Sequence, residues 1–284
     1  MSSPERTTNQ QLGYAGDARL LIINADDFGM CHAINEATIQ AWQNGVVTST
    51  SLMVPCPWAP HAMRLLAEHP RLPFAVHLTL FSEFTDYRWG LVASKSIVPS
   101  LLDSAGFFYH DDQRDTLLAA AKLDEVEAEF RAQIEAVLIA DLTPSHLDFH
   151  CVADGGREDI FGLTRNLARE YGLALRVHER GHADECRRLG LPVADHGVLD
   201  SYSLATEGKA ARYAQLLRDL PPGLSEWAVH PSLGDAEAQA LEPETWQVRR
   251  ADFDFVTSAD ARAHLEQESI IVLDYRSLQQ VWVR

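Results

Sequence analysis

Residues 20–29 have the sequence LLIINADDFG, and this stretch decides the class of fold. Its four consecutive apolar residues are typical of a strand that is buried on both faces, as in a parallel sheet. The acidic pair Asp26 and Asp27 closes the strand. A helical pattern then runs over residues 33–44, with Gly45 as its stop. A buried strand, a polar turn and a helix in succession predict a βα unit.

The same alternation continues along the rest of the chain. Further apolar runs predict strands at residues 47–54, 74–80, 145–149, 174–178, 197–199, 227–230 and 270–275. Helical patterns lie at residues 60–68, 114–140, 159–171, 205–219 and 258–267. Because no linker rich in Pro, Gly or Ser divides the chain, we predict one α/β domain over residues 19–284, barrel-like (β/α) or doubly wound. Residues 1–18 are predicted to form a flexible N-terminal tail.

Residues 81–113 interrupt this alternation with a long, irregular segment that is rich in aromatic side chains. Loops of this length inside a compact domain are usually functional or mobile. Two interpretations are open. The segment is either a substrate-facing flap or an insertion that only carries its own small apolar cluster.

Composition excludes several classes of partner. The 284 residues include 24 Lys and Arg against 41 Asp and Glu, a formal net charge of −17, which disfavours nucleic acids and anionic membrane surfaces. No apolar run approaches the ~20 residues that a membrane span requires, and the polar composition of residues 1–18 does not predict a secretory signal. The four scattered cysteines predict neither a disulfide framework nor a thiolate zinc site. We therefore predict a cytoplasmic protein, with a homo-oligomer left open.

Polar residues collect at the ends of the predicted strands. Asp26 and Asp27 end the first strand, and histidines lie on or directly after four others, at His77, His146 with His150, His178 and His230. In parallel α/β folds, ligands bind at the carboxyl ends of the strands. The repeated placement of such residues therefore predicts a site at this edge of the sheet.

Two features point to a cation, although each has a structural alternative. A helix cap explains one aspartate of the Asp26–Asp27 pair, whereas the second adds repulsion unless a cation or a shared proton absorbs it. On a strand, His146, Asp148 and His150 share one face. Burying all three is costly unless they bind an ion or form a polar network with one another.

An Asp/His/His set suits a divalent ion that retains open positions for water and substrate. Such an ion polarises a carbonyl group and lowers the pKa of water, while a second carboxylate acts as base and a histidine as acid. Metal-assisted hydrolysis is the leading hypothesis. A sugar-phosphate isomerase or epimerase, with Gly155 and Gly156 as a phosphate anchor, is one alternative. A non-catalytic carbohydrate or metal binding protein is the other.

Four motifs occur in a recognisable order. They are NADDFG at residues 24–29, VTSTSLMV at 47–54, HLTL at 77–80 and SHLDFH at 145–150. Together they closely resemble the YdjC/ChbG (HpnK-like) family of carbohydrate deacetylases. The resemblance continues through VPSL at 98–101, QIE at 133–135, His230-Pro231 and RRAD at 249–252, and it covers roughly residues 19–280.

The resemblance implies a barrel-like (β/α) fold related to the polysaccharide deacetylases. It also implies one divalent ion, magnesium or zinc, held by Asp27, His77 and His150. Asp26 would be the general base, and His230 would be the acid or a substrate contact. The implied reaction is hydrolysis of an N-acetyl group from an amino sugar or short oligosaccharide.

Further residues are assigned around this set. His146 is an alternative acid or a neighbour of the ligands, and Asp148 is expected to orient a ligand histidine. Trp89 and Phe28 are expected to stack on a sugar ring. Arg88, which lies with Trp89 in a segment that resembles a subgroup of the family, is expected to contact the substrate or to support the ligands.

The sequence also departs from better-known members of the family. Cys151 and Val152 follow the last histidine, where those members have a His-rich run, and Phe149 replaces a small residue before it. The resemblance therefore does not identify the sugar.

Overall fold

The computed structural model describes residues 7–283. The strands are β1 (Arg19–Phe28), β2 (Ser49–Leu52), β3 (Phe74–Leu78), β4 (Phe81–Ser82), β5 (Tyr109–His110), β6 (His146–Phe149), β7 (Ala174–Leu175), β8 (Val198–Asp200), β9 (Gly223–Val229) and β10 (Ile271–Leu273). The helices are α1 (Thr8–Gln11), α2 (His32–Asn44), α3 (Ala59–Glu68), α4 (Arg114–Ala120), α5 (Leu123–Ile139), α6 (Glu158–Tyr171), α7 (Arg180–Arg188), α8 (Lys209–Arg218), α9 (Ala236–Leu241), α10 (Trp246–Val256), α11 (Ala259–Gln267) and α12 (Tyr275–Trp282). Short 3-10 turns occupy Pro99–Leu101, Asp111–Gln113, Ala153–Gly156 and Ser201–Ser203.

One parallel sheet organises the chain. Its strands follow the order β7-β6-β3-β2-β1-β9-β8, and β10 pairs with the first half of β1. All of these pairings are parallel. Within residues 7–283 the outer strands β7 and β8 do not pair with each other, so the curled sheet is an open half-barrel surrounded by helices. The prediction of a barrel-like α/β fold is confirmed.

Alternate residues of β1 pack into two different apolar clusters. Leu20 and Ile22 belong to the larger cluster, whereas Leu21 and Ile23 pack with the helical layer that includes Phe255 of α10. All four side chains are at most 1% exposed. The strand is therefore buried on both faces, as its apolar run predicts.

The structure corrects several predicted elements. The helix predicted over residues 114–140 is two helices, α4 and α5, because the chain turns to extended backbone between them. No helix is predicted from the sequence at α7, α10 or α12. The strand predicted over residues 174–178 is too long, because β7 ends at Leu175. Within residues 7–283, no helix combines the length and the apolar character needed to cross a membrane.

Residues 7–18 do not form a loose tail. Thr8 and Asn9 of α1 are each 1% exposed. The Thr8 hydroxyl donates to the Val193 carbonyl, and the Asn9 amide donates to the carbonyls of Ala15 and Ala18. The first hydrogen bond ties the segment to the domain, and those of Asn9 close the segment on itself. Residues 1–6 of the predicted tail lie outside the described residues.

The irregular segment 81–113 is anchored to α5 and to the loop after β1. Two buried acids of α5 hold it: Glu129 accepts hydrogen bonds from the amides of Val92 and Ala93, and Glu125 accepts one from the amide of Ser100. Tyr87 adds a hydrogen bond from its hydroxyl to the Met30 carbonyl. Backbone amides bonded to buried carboxylates make this segment part of the packed domain.

Candidate active site

An irregularity in β1 directs two adjacent carboxylates to the same side of the sheet. Successive side chains of a regular strand point to opposite faces, but the register of β1 against β2 shifts between Ala25 and Phe28. Asp27 has a φ of +68°, in the left-handed region. As a result, both Asp26 Oδ2 and Asp27 Oδ1 approach the same atom, Nε2 of His77, at 4.0 and 3.5 Å.

Two histidine rings approach the same carboxylate oxygen of Asp27. Its Oδ1 lies 3.5 Å from His77 Nε2 and 3.2 Å from His150 Nδ1. Ligand atoms of these three residues all lie within 4.8 Å of one another, and all three side chains are buried. Three strands that are distant in sequence supply them, because β1, β3 and β6 all end at this edge.

The other ring nitrogen of His77 is held by Asp148. The Nδ1–H donates to Asp148 Oδ1 at 2.7 Å, and the opposite carboxylate oxygen accepts from the Ser51 hydroxyl at 2.5 Å. Burial would lower the pKa of His77, but the carboxylates of Asp148, Asp27 and Asp26 outweigh burial and raise it to about 9. The surrounding carboxylates therefore stabilise a positive charge on the His77 ring.

Arg176 is the central cation on one side of the site. Its guanidinium group binds both carboxylate oxygens of Asp26, at 2.7 and 3.0 Å, and it also contacts Asp148 at 3.0 Å and Glu226 at 2.7 Å. Burial would raise the pKa of Asp26, but the charge of Arg176 outweighs it and leaves the pKa below its ordinary value. Asp26 is consequently ionised at neutral pH.

Arg249 of α10 has the corresponding role for Asp27. It donates to Asp27 Oδ2 at 2.7 Å and to Glu242 at 2.6 Å, and it is 1% exposed. Despite burial, which would raise it, the pKa of Asp27 lies well below its ordinary value because of Arg249 and the two histidines. Oδ2 of Asp27 is thus occupied by Arg249, and Oδ1 faces the rings.

The remaining nitrogen of His150 faces the segment 81–113. Its Nε2 lies 3.0 Å from Glu83 Oε2 and 3.1 Å from Cys151 Sγ. Burial raises the pKa of Cys151 to about 12, so the thiol remains protonated at neutral pH. Glu83 is therefore the anionic partner of this nitrogen.

His230 is held by a hydroxyl and a carboxylate. Its Nδ1 lies 2.8 Å from the Ser201 hydroxyl, which donates to Asp252 Oδ2 at 2.5 Å. A hydroxyl has one hydrogen, so a Ser201 that donates to Asp252 accepts from His230 Nδ1–H. This chain fixes the ring orientation and leaves Nε2 free of it.

These residues surround one cavity of about 470 Å³. Its lining includes the acidic pair, four of the histidines predicted at strand ends and both buried arginines: Asp26, Asp27, His77, His150, His178, His230, Arg176 and Arg249. Glu83, Phe149, Arg114 and Tyr202 complete much of the wall. The size is within the range of small-molecule sites.

The residues around Asp27 fit a divalent cation. Two donor atoms bound ~2.0–2.2 Å from one ion, at tetrahedral or octahedral angles, lie about 2.8–3.6 Å apart. The two histidine nitrogens approach Asp27 Oδ1 within this interval. In addition, the buried carboxylates here outnumber the guanidinium groups of Arg176 and Arg249, which favours a further positive charge.

Three residues predicted to contact substrate are placed elsewhere. Trp89 is 2% exposed, donates from its indole N–H to the Phe81 carbonyl and lies behind His150, so its rings offer no open face to a sugar. Phe28 is fully buried in the core. Arg88 binds Asp103 within the segment 81–113. The stacking assignments are wrong, because both rings are consumed by packing.

His146 does not reach the cavity either. It is fully buried, and its ring stacks on Tyr275 at a centroid distance of 3.5 Å. Burial lowers its pKa to about 3. A neutral ring with no access to the cavity cannot donate a proton to a substrate, which corrects its assignment as an alternative acid.

The proposed phosphate anchor also has another function. A Cβ added to Gly155 would meet Ile160 at 2.5 Å, and one added to Gly156 would meet Val152 at 2.6 Å. The amide of Gly155 already donates to the Val152 carbonyl. These glycines serve a tight turn packed on apolar side chains, and the structure gives no support to a phosphate site.

The sequence reasoning missed Arg176, Glu83 and Ser201, and it quoted Arg249 and Asp252 only as part of a motif. One signal was present: Arg176 interrupts an otherwise apolar run predicted as a strand, where an unpaired charge is costly. The other positions are in loops or in α10, which the sequence pattern did not identify.

Comparison with known proteins gives a consistent result. A family model described as YdjC-like protein matches residues 20–267. The chain is 36% identical to the carbohydrate deacetylase of Geobacillus stearothermophilus over 267 residues, covering 93% of this chain and 99% of that protein. It is 29% identical to the carbohydrate deacetylase of Enterococcus faecalis V583, covering 91% and 97%. A solved structure from Enterococcus faecalis V583, provisionally described as a cellobiose-phosphate cleavage protein, matches with a TM-score of 0.78 and 28% identity, covering 92% and 99%.

Proposed function

The chain belongs to the YdjC-like family, and from this membership we propose that it is a carbohydrate deacetylase that hydrolyses an N-acetyl group of an amino sugar or short oligosaccharide. One observation carries the proposal. Asp27, His77 and His150 converge at a cavity whose wall also holds an ionised carboxylate, Asp26, and an oriented histidine, His230. These are the groups that hydrolysis of an unactivated amide requires.

Asp27, His77 and His150 would hold one divalent ion, zinc or magnesium. One carboxylate oxygen and two imidazole nitrogens suit zinc and are also accepted by harder ions. When bound, the ion polarises the acetamide carbonyl and lowers the pKa of water. The family names support the reaction, and the donor set supports the ion.

Asp26 would take the proton of the attacking water. Its carboxylate is ionised, because Arg176 keeps its pKa below the ordinary value against the effect of burial. The two hydrogen bonds from Arg176 also fix the plane of the carboxylate. Asp26 therefore keeps a defined orientation toward the cavity throughout the reaction.

His230 would give a proton to the departing amine, which is a poor leaving group as an anion. Ser201 accepts from its Nδ1–H, so Nε2 is the nitrogen available to exchange a proton at the cavity. Asp252 accepts from Ser201 and so fixes the direction of this hydrogen-bond chain. Tyr202, whose ring lies 4.9 Å from that of His230, is an aromatic side chain of the cavity wall that a sugar ring could contact.

Acetate release tests the proposal. Protein stripped of metal with a chelator is reloaded with zinc, magnesium, manganese or cobalt and offered a panel of N-acetylated mono- and oligosaccharides. We expect ion-dependent release that is lost in Asp26→Asn. An ion bound through His77 and His150 without release from any member of the panel would contradict the proposal and favour a non-catalytic binding protein.

A further inference from the structure

The two histidines beside Asp27 use opposite ring nitrogens in the same way. His77 directs Nε2 to Asp27 Oδ1 and donates from Nδ1 to Asp148 at 2.7 Å. His150 directs Nδ1 to Asp27 Oδ1 and places Nε2 at 3.0 Å from Glu83 Oε2. Each ring therefore lies between Asp27 and a second carboxylate.

This arrangement gives each ring an acceptor for its N–H when the nitrogen beside Asp27 binds an ion. A neutral imidazole has one N–H and one lone pair, and an ionised carboxylate only accepts hydrogen bonds. An ion held beside Asp27 needs the lone pair of His150 Nδ1, and this leaves the N–H of the neutral ring on Nε2. There Glu83 Oε2 lies at 3.0 Å and Cys151 Sγ at 3.1 Å, and the carboxylate is the stronger acceptor. Metal-binding histidines almost always donate their other N–H to an acceptor, commonly a carboxylate, which fixes the ring and raises its basicity.

The two supporting carboxylates come from different parts of the molecule. Asp148 is fully buried in β6 and also binds Arg176 and Ser51. Glu83 belongs to the segment 81–113, and 26% of its side chain is exposed. It directly follows β4, whose Phe81 carbonyl accepts from the indole of the buried Trp89.

We propose that Glu83 is a positioning residue for the ion site, which makes the ion affinity of the protein depend on the inserted segment 81–113. This inference rests on the ion site of the proposed function and extends it to a residue outside the three ligands. Glu83 acts through His150: it accepts the Nε2–H and holds the ring with Nδ1 toward Asp27. The segment is thus a structural support of the site and is not only a wall of the cavity.

Zinc binding to the full-length, ion-free protein tests this role, measured by competition with a chromophoric chelator. Removing a supporting hydrogen-bond partner of a metal ligand typically weakens metal binding by about 10–100-fold. We expect Glu83→Ala to weaken zinc binding within this range. We expect Glu83→Gln to weaken it by about tenfold or less, because the amide oxygen still accepts the Nε2–H.

Asp86→Asn is the matched control. Asp86 is exposed in the same segment, so this variant removes the same charge without touching His150. We expect its zinc affinity to remain within about twofold of the wild type, because isolated surface charges contribute little. Equal losses in Glu83→Ala and Asp86→Asn would overturn the proposal in favour of a general charge effect, and so would an unchanged affinity in Glu83→Ala.

A second measurement separates positioning from a loss of folding. Nitrogen-15 spectra of the imidazole rings in the zinc-loaded protein are expected to show His150 protonated at Nε2 in the wild type and in Glu83→Gln. A zinc-loaded wild type with His150 protonated at Nδ1 would overturn the proposal. Zinc binding that obeys these expectations without acetate release from any sugar would contradict the proposed function and leave the role of Glu83 supported.

Discussion

Within residues 7–283, two clusters of two histidines and one carboxylate place their ligand atoms within 4.8 Å of one another. The first is buried at the strand ends, where His77 and His150 flank Asp27. The second is half-exposed: His32 and Glu36 lie one turn apart on α2, and His61 comes from α3. We call them the strand-end cluster and the helix-pair cluster. In the helix-pair cluster, the histidine Nε2 atoms lie 3.7 and 3.9 Å from the carboxylate.

The partner of the remote ring nitrogen distinguishes the two clusters. In the helix-pair cluster, Nδ1 of His61 lies 3.1 Å from the amide nitrogen of Asn35. Gly29 N–H donates to Asn35 Oδ1, and Asn35 Nδ2 also donates to the Trp58 carbonyl, so the amide orientation is fixed. Nδ1 of His61 must accept, and its Nε2 carries the hydrogen that faces Glu36. Proximity alone therefore does not make a metal site.

Removing one histidine from each cluster tests most directly whether the two clusters differ in zinc binding. His77→Ala should weaken zinc binding by about 10³-fold and should abolish acetate release. This loss corresponds to about 4 kcal/mol, roughly a third of a zinc binding free energy of order 10–16 kcal/mol. His61→Ala should retain both zinc binding and acetate release. The measurements are chelator competition and acetate release on the same preparations, with thermal unfolding as the control for folding. Equal zinc affinity in the two variants would contradict the assignment of the ligands.

Asp26→Asn distinguishes proton transfer by Asp26 from ion binding by the adjacent strand-end cluster. Asparagine cannot accept the proton of water, so turnover should fall by roughly 10²–10⁴-fold. Zinc binding should persist, because Asp26 Oδ2 is 4.0 Å from His77 Nε2 and both of its oxygens bind Arg176. The variant is tested for turnover in saturating zinc. Turnover close to that of the wild type would exclude Asp26 as the base.

His146 is a buried histidine that belongs to neither cluster, so it shows the effect of burial on a histidine that is not arranged to bind an ion. Within residues 7–283, its Nε2 has no hydrogen-bond partner. Burial lowers its pKa to about 3 in the folded protein, from about 6.5 when unfolded. The unfolded chain therefore binds the proton first, and stability falls as the pH drops below about 6.5.

His146→Phe should remove this pH dependence while keeping a ring stacked on Tyr275. Between pH 7 and pH 5 the wild type should lose about 2 kcal/mol more stability than the variant, as measured by urea unfolding. His264→Phe, which changes a half-buried histidine of α11, is the control and should follow the wild type. Parallel stability curves for wild type and His146→Phe would contradict the shifted pKa.

The sequence predicts the site residues at the strand ends, but it does not predict the side chains that hold those residues in place. Asp26, Asp27, His77 and His150 could be brought together in advance, because parallel strands end at one edge of a sheet. Arg249 could not, because its partner Asp27 is 222 residues away and α10 gave no recognisable pattern.

Two loop residues illustrate the same limit of sequence-based prediction, one wrongly assigned to the site and one missed. The sequence suggested that Trp89 was available to a sugar, but tertiary packing buries it, which no local pattern reveals. No sequence pattern distinguishes Glu83 from a surface acid, and the anchoring of residues 81–113 brings it to His150. The pattern of a single chain predicts elements and edges, whereas the tautomer of a histidine depends on contacts made between elements.

The smallest effect is expected when the helix-pair cluster is given a hydrogen-bond acceptor for Nδ1 of His61. This change also tests the comparison most directly. In Asn35→Asp, the carboxylate can still accept from Gly29 N–H, and it can accept from Nδ1–H of His61, leaving the lone pair of Nε2 toward Glu36. Zinc binding at this cluster should tighten by about tenfold, the lower end of the effect of such a partner. The Trp58 carbonyl loses a donor, which costs about 1–3 kcal/mol of stability.

The measurement uses His77→Ala as background, so that the strand-end cluster does not mask the weaker site. Asn35→Ala in the same background removes the amide donor without supplying an acceptor, and its zinc affinity should stay near that of the parent. Tightening in Asn35→Asp alone would show that the partner of the remote nitrogen controls ion binding in both clusters. Equal affinities in the two variants would instead assign the difference between the clusters to burial, because burial is the main property that still separates them.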